Sequence, residues 1–201
     1  RVDAVDPMTG KQWHVELAPH VSGSADSIVT GLLEAPDEPY VLDVKTASLK
    51  QYEKAAKIDN ARAWSAGYWA QQQVYMHGLR TRGIEVAWAA LLVVCKDDDR
   101  MHLLRFPFEP AEAANLVARA RRIVEAPEPP LRITNDPTAF GCKHFCDFYE
   151  TCQLGQHAKL ERNCRTCLSS TPRGDGTWYC EHHARALSTD EQKRGCDSHL
   201  L

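Results

Sequence analysis

Two charged residues, Asp43 and Lys45, lie two positions apart in the otherwise apolar stretch 40–47, YVLDVKTA. Side chains alternate along a strand, so these two charges share one face with Val41. Charged side chains are rarely buried unless they are paired or bind a metal. The D-x-K pattern is weak alone, because an edge strand with two solvated charges would have the same sequence.

A second aspartate, Asp26, interrupts the apolar stretch 24–32 in the segment GSADSIV. Only a loop containing Pro36 and Pro39 separates this stretch from the strand of Asp43. Neighbouring strands lie about 4.8 Å apart, so the two carboxylates can converge on one cation. Mg²⁺ is typically bound by one or two carboxylates together with waters and phosphate oxygens. The alternative is an ordinary turn aspartate that follows Gly23 and Ser24.

A helix predicted from about Asn60 to Arg82 carries one polar residue in the middle of its apolar stripe. The stripe, at steps of three or four residues, consists of Trp64, Tyr68, Gln71, Tyr75 and Leu79. Gln71 is either a satisfied core glutamine or a residue that positions a ligand or an active-site group. We expect the second, with Gln71 facing the same cleft as Asp43.

In this order, the three motifs resemble those of the PD-(D/E)xK nuclease superfamily, in its RecB-like and phage-recombination exonuclease branch. The matching pieces are GSAD with Asp26, LDVKT with Asp43 and Lys45, and QxxxY with Gln71 and Tyr75. The resemblance implies hydrolysis of DNA phosphodiesters with Mg²⁺ or Mn²⁺ held by Asp26 and Asp43. It also implies that Lys45 orients the attacking water or offsets charge on the phosphate. Gln71 would then hold that water or the DNA backbone, with Tyr75 packing beside it.

The resemblance covers roughly residues 20–108 and departs from the family at the N-terminus. Family members normally have a helix before the first strand, and its glutamate or histidine helps to hold the metal. Because this chain starts at Arg1 near the first strand, we expect N-terminal structure to be absent from it. The local substitutes are His14, Glu16 and His20.

The resemblance makes DNA the expected partner, with a recombination or annealing protein as a second one. The rival interpretation is a non-catalytic, zinc-containing module that binds nucleic acid or protein. An accessory subunit of a nuclease complex is a third. Intact Asp26, Asp43, Lys45 and Gln71 favour the enzyme.

A zinc-ribbon-like pattern follows in the tail, where Cys164-x2-Cys167 is succeeded by Cys180 and Cys196. A CxxC supplies two thiolates from one tight turn, and tetrahedral Zn²⁺ needs two more nitrogen or sulfur ligands. We predict a site of four cysteines. A histidine as the fourth ligand, from among His182, His183 and His199, is the alternative.

A separate trio, Cys142, Cys146 and Cys152, resembles the C-terminal cysteines of RecB-like nucleases that carry an iron–sulfur cluster. In those relatives a distant upstream cysteine is the fourth ligand. The candidate in this chain is Cys95. We nevertheless expect Cys95 to be a small buried hydrophobe. Zinc with His144 or His157 as the fourth ligand competes with the cluster, and we favour zinc.

These residues need a scaffold, and the hydrophobic pattern predicts an α+β one. The expected elements are strands at 11–17, 24–32, 40–46, 84–95 and 101–108, the helix at 60–82, and a helix from Pro110 to Pro127. With the resemblance, this predicts an α/β/α-type restriction-endonuclease-like core with a mixed sheet over residues 1–126. A proline-rich linker at 127–140 and a small metal-stabilised module at 141–201 would follow.

Composition narrows the class of protein. The chain has 201 residues, is 43% hydrophobic and 25% charged, and carries a net charge of −3. A net negative charge argues against binding of nucleic acid through the overall charge of the protein. A bound metal would nevertheless add positive charge locally. The sequence has no apolar run of about 18 residues, so no membrane span is expected. Seven of the eight cysteines lie between Cys142 and Cys196, beside histidines, which indicates metal binding in a reducing compartment. The resemblance implies a cytoplasmic location in a bacterial or phage-encoded context.

Overall fold

A computed structural model describes residues 1–33, 35–128, 130–156 and 161–200. The chain divides into two compact units, Arg1–Val124 and Glu125–Leu201. None of the helices in the described ranges is long and apolar enough to cross a lipid bilayer.

Unit 1 contains a five-stranded mixed sheet and a separate two-stranded hairpin. Its strands are β1 Val2–Asp3, β2 Trp13–Ala18, β3 Val21–Ala25, β4 Ser27–Val29, β5 Tyr40–Ala47, β6 Trp88–Cys95 and β7 Met101–Pro107. The sheet order is β1-β4-β5-β6-β7, and β2 pairs with β3. Strand β5 runs parallel to β6, whereas the other pairs in the sheet are antiparallel. The expected α+β class with a mixed sheet is therefore confirmed.

The stretch expected to be one strand at 24–32 is broken at Asp26. Strand β3 ends at Ala25 and pairs with β2, while β4 begins at Ser27 and pairs with β5. Asp26 is thus the residue at which the chain passes from the hairpin into the main sheet.

The helices of unit 1 are α1 Leu49–Ile58, α2 Ala61–Trp64, α3 Ala66–Thr81 and α4 Pro110–Glu125. The helix expected at 60–82 is interrupted at Ser65, whose extended backbone starts α3 and whose hydroxyl accepts a hydrogen bond from the Tyr68 amide at 3.4 Å. Helix α1 was not foreseen. The helix from Pro110 is confirmed.

Helix α3 packs with a different face from the predicted stripe. Its buried residues include Trp69, Gln72, Gln73, Met76 and Leu79, whereas Tyr68 is 40% exposed. Leu79 belongs to the predicted stripe as well, whereas the buried residues Trp69, Gln72 and Met76 each follow a stripe residue by one position. Gln72 and Gln73 are therefore the glutamines in the core, and Gln71 is only half-buried.

Unit 2 is built from short elements. They are α5 Phe140–Phe145, α6 Tyr149–Leu154, a 3₁₀ helix Cys164–Thr166, β8 Ser170–Pro172, β9 Trp178–Cys180, β10 Arg185–Leu187 and α7 Thr189–Arg194. The three strands form an antiparallel sheet in the order β10-β9-β8. In the expected linker, the described residues from 127 to 139 form neither helix nor strand.

Candidate functional site

Among the described residues, one oxygen of the Asp43 carboxylate has polar partners and the other oxygen has none. Asp43 lies in β5 and is 3% exposed. Its Oδ2 accepts a hydrogen bond from Gln72 Nε2 at 2.8 Å and lies 2.8 Å from Lys45 Nζ. Its Oδ1 is buried and has no hydrogen-bond partner among the described residues. A buried acceptor without a partner is costly, so this oxygen needs a donor or a cation.

Asp26 lies beside Asp43 because of the strand register. Ser27 of β4 pairs with Leu42 of β5, so continuing the antiparallel register by one residue sets Asp26 opposite Asp43. Asp26 is exposed. The structure therefore brings together one buried carboxylate in β5 and one solvent-facing carboxylate immediately before β4.

Burial and the neighbouring Asp26 both oppose ionisation of Asp43. Burial raises the pKa of Asp43 above its ordinary value; Lys45 acts in the opposite direction, and the nearby Asp26 carboxyl raises the pKa further. Above the pKa of Asp43, a cation between the two groups would relieve both the repulsion and the desolvation.

Lys45 is fixed between a carboxylate and an aromatic ring. Besides its contact with Asp43, its Nζ lies 4.6 Å from the centroid of the Tyr68 ring. This distance is within the range of a cation–π interaction. The Lys45 side chain keeps 21% exposure, so the ammonium is positioned yet accessible.

Gln71 and Tyr75 form a pair of their own. Gln71 Nε2 donates a hydrogen bond to Tyr75 Oη at 3.1 Å. The Tyr75 ring packs against Gly23 so closely that a Cβ there would lie 2.7 Å from Tyr75 Cε1. The structure therefore sets this pair against β3, and the glutamine that contacts Asp43 is Gln72.

Sequence reasoning missed Gln72 and Tyr68 as members of the site. They are four residues apart on α3 and so share one face, from which Gln72 reaches Asp43 and Tyr68 reaches Lys45. The signal that could have found Gln72 is the apolar spacing of Trp69, Met76 and Leu79, which includes position 72. Gln72 Oε1 is a second buried oxygen without a partner among the described residues.

The residues present fit a magnesium ion. Asp43 Oδ1 is buried and unsatisfied, and the Asp26 carboxylate faces solvent beside it, which matches the small number of protein ligands that Mg²⁺ uses. Across the described ranges, no group of three or more His, Cys, Asp or Glu side chains is arranged to hold a metal ion. The local substitutes His14, Glu16 and His20 are exposed on the hairpin or its turn.

In unit 2, four cysteines line one cavity of about 180 Å³: Cys164, Cys167, Cys180 and Cys196. Burial raises the pKa of the Cys164 thiol, and the sulfurs of the other three add to this effect. The four cysteines therefore border one cavity, while among the described residues no three such side chains are already arranged to hold a metal ion.

The members of the other cysteine trio differ in their exposure to solvent. Cys142 is buried, Cys152 is half-buried and Cys146 is exposed, while His157 lies outside the described residues. Zinc and an iron–sulfur cluster remain alternative predictions for this trio. Cys95 is fully buried in the hydrophobic core of unit 1, as expected for a small buried hydrophobe.

Comparison with known proteins adds little. No family model matches the sequence. No curated protein matches it. Among solved structures, the chain in "Crystal structure of SSO0001" is 19% identical, and the match covers 70% of this chain and 52% of that chain with a TM-score of 0.38. This chain thus spans about half the length of that structure's chain.

Proposed function

We propose that this chain is a Mg²⁺-dependent deoxyribonuclease with a PD-(D/E)xK-like core, an exonuclease of phage-type recombination or repair. The observation that carries the proposal is the Asp43 carboxylate. It is buried, fixed at Oδ2 by Gln72 and Lys45, unsatisfied at Oδ1, and adjacent to Asp26. Most buried carboxylate oxygens in native proteins have a hydrogen-bond partner, so an unpartnered one supports a bound cation here.

Asp26 and Asp43 would bind the metal, and Asp43 would do so through its unpartnered Oδ1. Bound Mg²⁺ or Mn²⁺ would lower the pKa of a water and neutralise charge on the scissile phosphate. In the hydrolysis, the water gives up a proton to solvent as its oxygen bonds to phosphorus, one ester P–O bond breaks, and the leaving oxygen takes up a proton from solvent. Lys45, held near Asp43 Oδ2, would offset the negative charge that develops on the phosphate.

Gln71 and Tyr75 belong to the proposed site as well. Their hydrogen-bonded pair packs on Gly23, three residues before Asp26. From there the Gln71 amide would contact a water or the DNA backbone, while Gln72 holds Asp43.

DNA is the proposed substrate, and a recombination or annealing protein is a proposed partner. The net charge of −3 gives no general attraction for a polyanion, so binding would depend on the metal and local cations such as Lys45. The proposal includes a cytoplasmic location, where the eight free cysteines would stay reduced.

The test is cleavage of end-labelled duplex DNA by the full chain with Mg²⁺ and with EDTA. We expect metal-dependent release of short products from the ends. Asp43→Asn and Lys45→Ala should each lower the rate by roughly 10²–10³-fold or more, since each removes preorganised charge at the phosphate. The exposed residues Asp37 and Lys50 offer matched controls, Asp37→Asn and Lys50→Ala, which should keep the wild-type rate.

Equal rates in EDTA, or wild-type cleavage by Asp43→Asn, would place the chemistry elsewhere. DNA binding without any cleavage in Mg²⁺ or Mn²⁺ would favour the non-catalytic module. A gel-shift measurement on the same samples separates these outcomes.

A further inference from the structure

Three separate segments of unit 2 bring four sulfurs to one cavity. Cys164 begins the 3₁₀ helix and Cys167 directly follows it, Cys180 ends β9, and Cys196 follows α7. Together they span 33 residues of the sequence, counted from 164 to 196 inclusive. A cavity lined by sulfur from several segments is a typical setting for a tetrahedral metal.

Backbone amides point at two of these sulfurs. The His183 amide donates to Cys180 Sγ at 3.4 Å, and the Leu200 amide donates to Cys167 Sγ at 3.4 Å. Hydrogen bonds of this kind orient the side chains that bind a metal. Each arm of the site therefore has one sulfur that is held in place by a backbone amide.

Gly195 lets Cys196 approach the CxxC turn. Its φ is +70°, and a Cβ at this position would lie 2.8 Å from the carbonyl oxygen of Arg162. A side chain here would be strained by the backbone conformation and would collide with the segment that leads into Cys164. The close approach that brings Cys196 to the cavity thus depends on glycine.

The histidines around the cavity have other contacts. His199 Nε2 lies 3.0 Å from Thr166 Oγ1. His183 Nε2 lies 3.6 Å from Cys196 Sγ, which suits a hydrogen bond to that sulfur. Cys196 is therefore a better fourth ligand than either histidine, and His183 is suited to orient it.

The apolar core around the cavity is small. It consists of Cys164, Cys180 and Leu187, with Trp178 packed against them. Strands of three residues with so little burial do not form a stable module unless something else holds them together.

We infer that Cys164, Cys167, Cys180 and Cys196 bind one structural Zn²⁺, with His183 as a hydrogen-bond partner of Cys196. Binding would draw the sulfurs from around the cavity to about 2.3 Å from the metal. This site is independent of the proposed nuclease chemistry, and its measurement requires no activity.

The first experiment is metal analysis of the purified full chain and single variants. Cys164→Ser and Cys196→Ser should each lose one zinc per chain relative to wild type. Cys95→Ser, at a buried cysteine of unit 1, and His199→Ala should keep the wild-type content. His183→Ala should keep the ion but bind it roughly 10–100-fold more weakly in chelator competition. Zinc retained by Cys196→Ser but lost by His199→Ala or His183→Ala would overturn the ligand set.

The second experiment uses wild-type protein and so does not depend on variants that fold. Alkylation followed by peptide mass mapping should find the four cysteines protected, and a chelator should expose all four together. Equal labelling with and without chelator, or recovery of these cysteines as disulfides, would refute the site. Protease treatment of Cys164→Ser should cut unit 2 and spare unit 1.

Discussion

Gln72 Nε2 donates a hydrogen bond to Asp43 Oδ2 at 2.8 Å, although Gln71 is the glutamine of the QxxxY motif. Because Oδ2 is held in this way, Oδ1 is the oxygen left for a cation or water. The orientation of the Asp43 carboxylate thus depends on α3 as well as on β5.

Replacing Gln72 by alanine should loosen Asp43 and leave its buried carboxylate with one hydrogen bond fewer. We expect Gln72→Ala to lower the free energy of unfolding of unit 1 by about 1–3 kcal/mol. Gln71→Ala, at a half-buried position bonded to Tyr75, should lower it less.

The measurement is urea unfolding followed by tryptophan fluorescence in a Trp178→Phe background, which leaves the four tryptophans of unit 1. Gln51→Ala, at an exposed glutamine of α1, is the control. A smaller effect for Gln72→Ala than for Gln71→Ala would contradict the observed contact.

Stability should respond to pH through Asp43. Its pKa is raised above 3.8, so between the unfolded and folded pKa values the folded protein binds more protons and its free energy of unfolding falls as pH rises. Above that window the ionised carboxylate is a net cost, which Asp43→Asn removes. In EDTA the variant should therefore be more stable than wild type at pH 7, and the difference should vanish below about pH 3.8.

Adding Mg²⁺ should reverse that order. Ligand that binds only the folded state adds about 2.7 kcal/mol at 100 times its dissociation constant. Wild type should gain stability on titration with Mg²⁺, and Asp43→Asn should gain much less. Equal gains would show that Mg²⁺ binds without Asp43.

Gly23 should not tolerate a side chain while Tyr75 is present. A Cβ would lie 2.7 Å from the Tyr75 ring, so Gly23→Ala should destabilise unit 1 by about 1–3 kcal/mol through overpacking. The same substitution in a Tyr75→Ala background should have a smaller effect, because the clash is gone.

Gly67 has no atom within 4 Å of its Cβ position and lies in α3, so Gly67→Ala should stabilise by about 0.5–1 kcal/mol. Urea unfolding tests all three, and equal destabilisation in both backgrounds would argue against the clash.

Asp6 should contribute stability that acid removes. It is buried and paired with Arg82, and this hydrogen bond holds the pKa of Asp6 below 3.8. A lowered pKa means that the contribution is present above the unfolded pKa and is lost as pH falls through the folded one. Asp6→Asn should therefore destabilise unit 1 at pH 7, with the difference shrinking at pH 3 and below. Asp37→Asn serves as the exposed control, and a pH-independent difference would mean that the charge is not the cause.

Part of the site was predictable from sequence because it depends on local geometry. Alternation along a strand sets Asp43 and Lys45 on one face wherever β5 lies, and the observed ion pair follows from that spacing. The hairpin of β6 and β7 and the start of α4 at Pro110 were predictable for the same reason, since turn residues and a helix-opening proline act locally.

The tertiary structure decided which glutamine meets Asp43. Three consecutive glutamines, Gln71 to Gln73, differ in helical angle but not in chemistry, so side-chain type cannot distinguish them. Packing of α3 buries Gln72 and Gln73, and Gln73 is satisfied by bonds to the backbone of Pro107 and Glu109. Likewise, only strand pairing determines that Asp26 lies between hairpin strand β3 and sheet strand β4, opposite Asp43. The sequence determined which residues could do the chemistry, and long-range packing decided their neighbours, because helix rotation and strand register depend on contacts far apart in the chain.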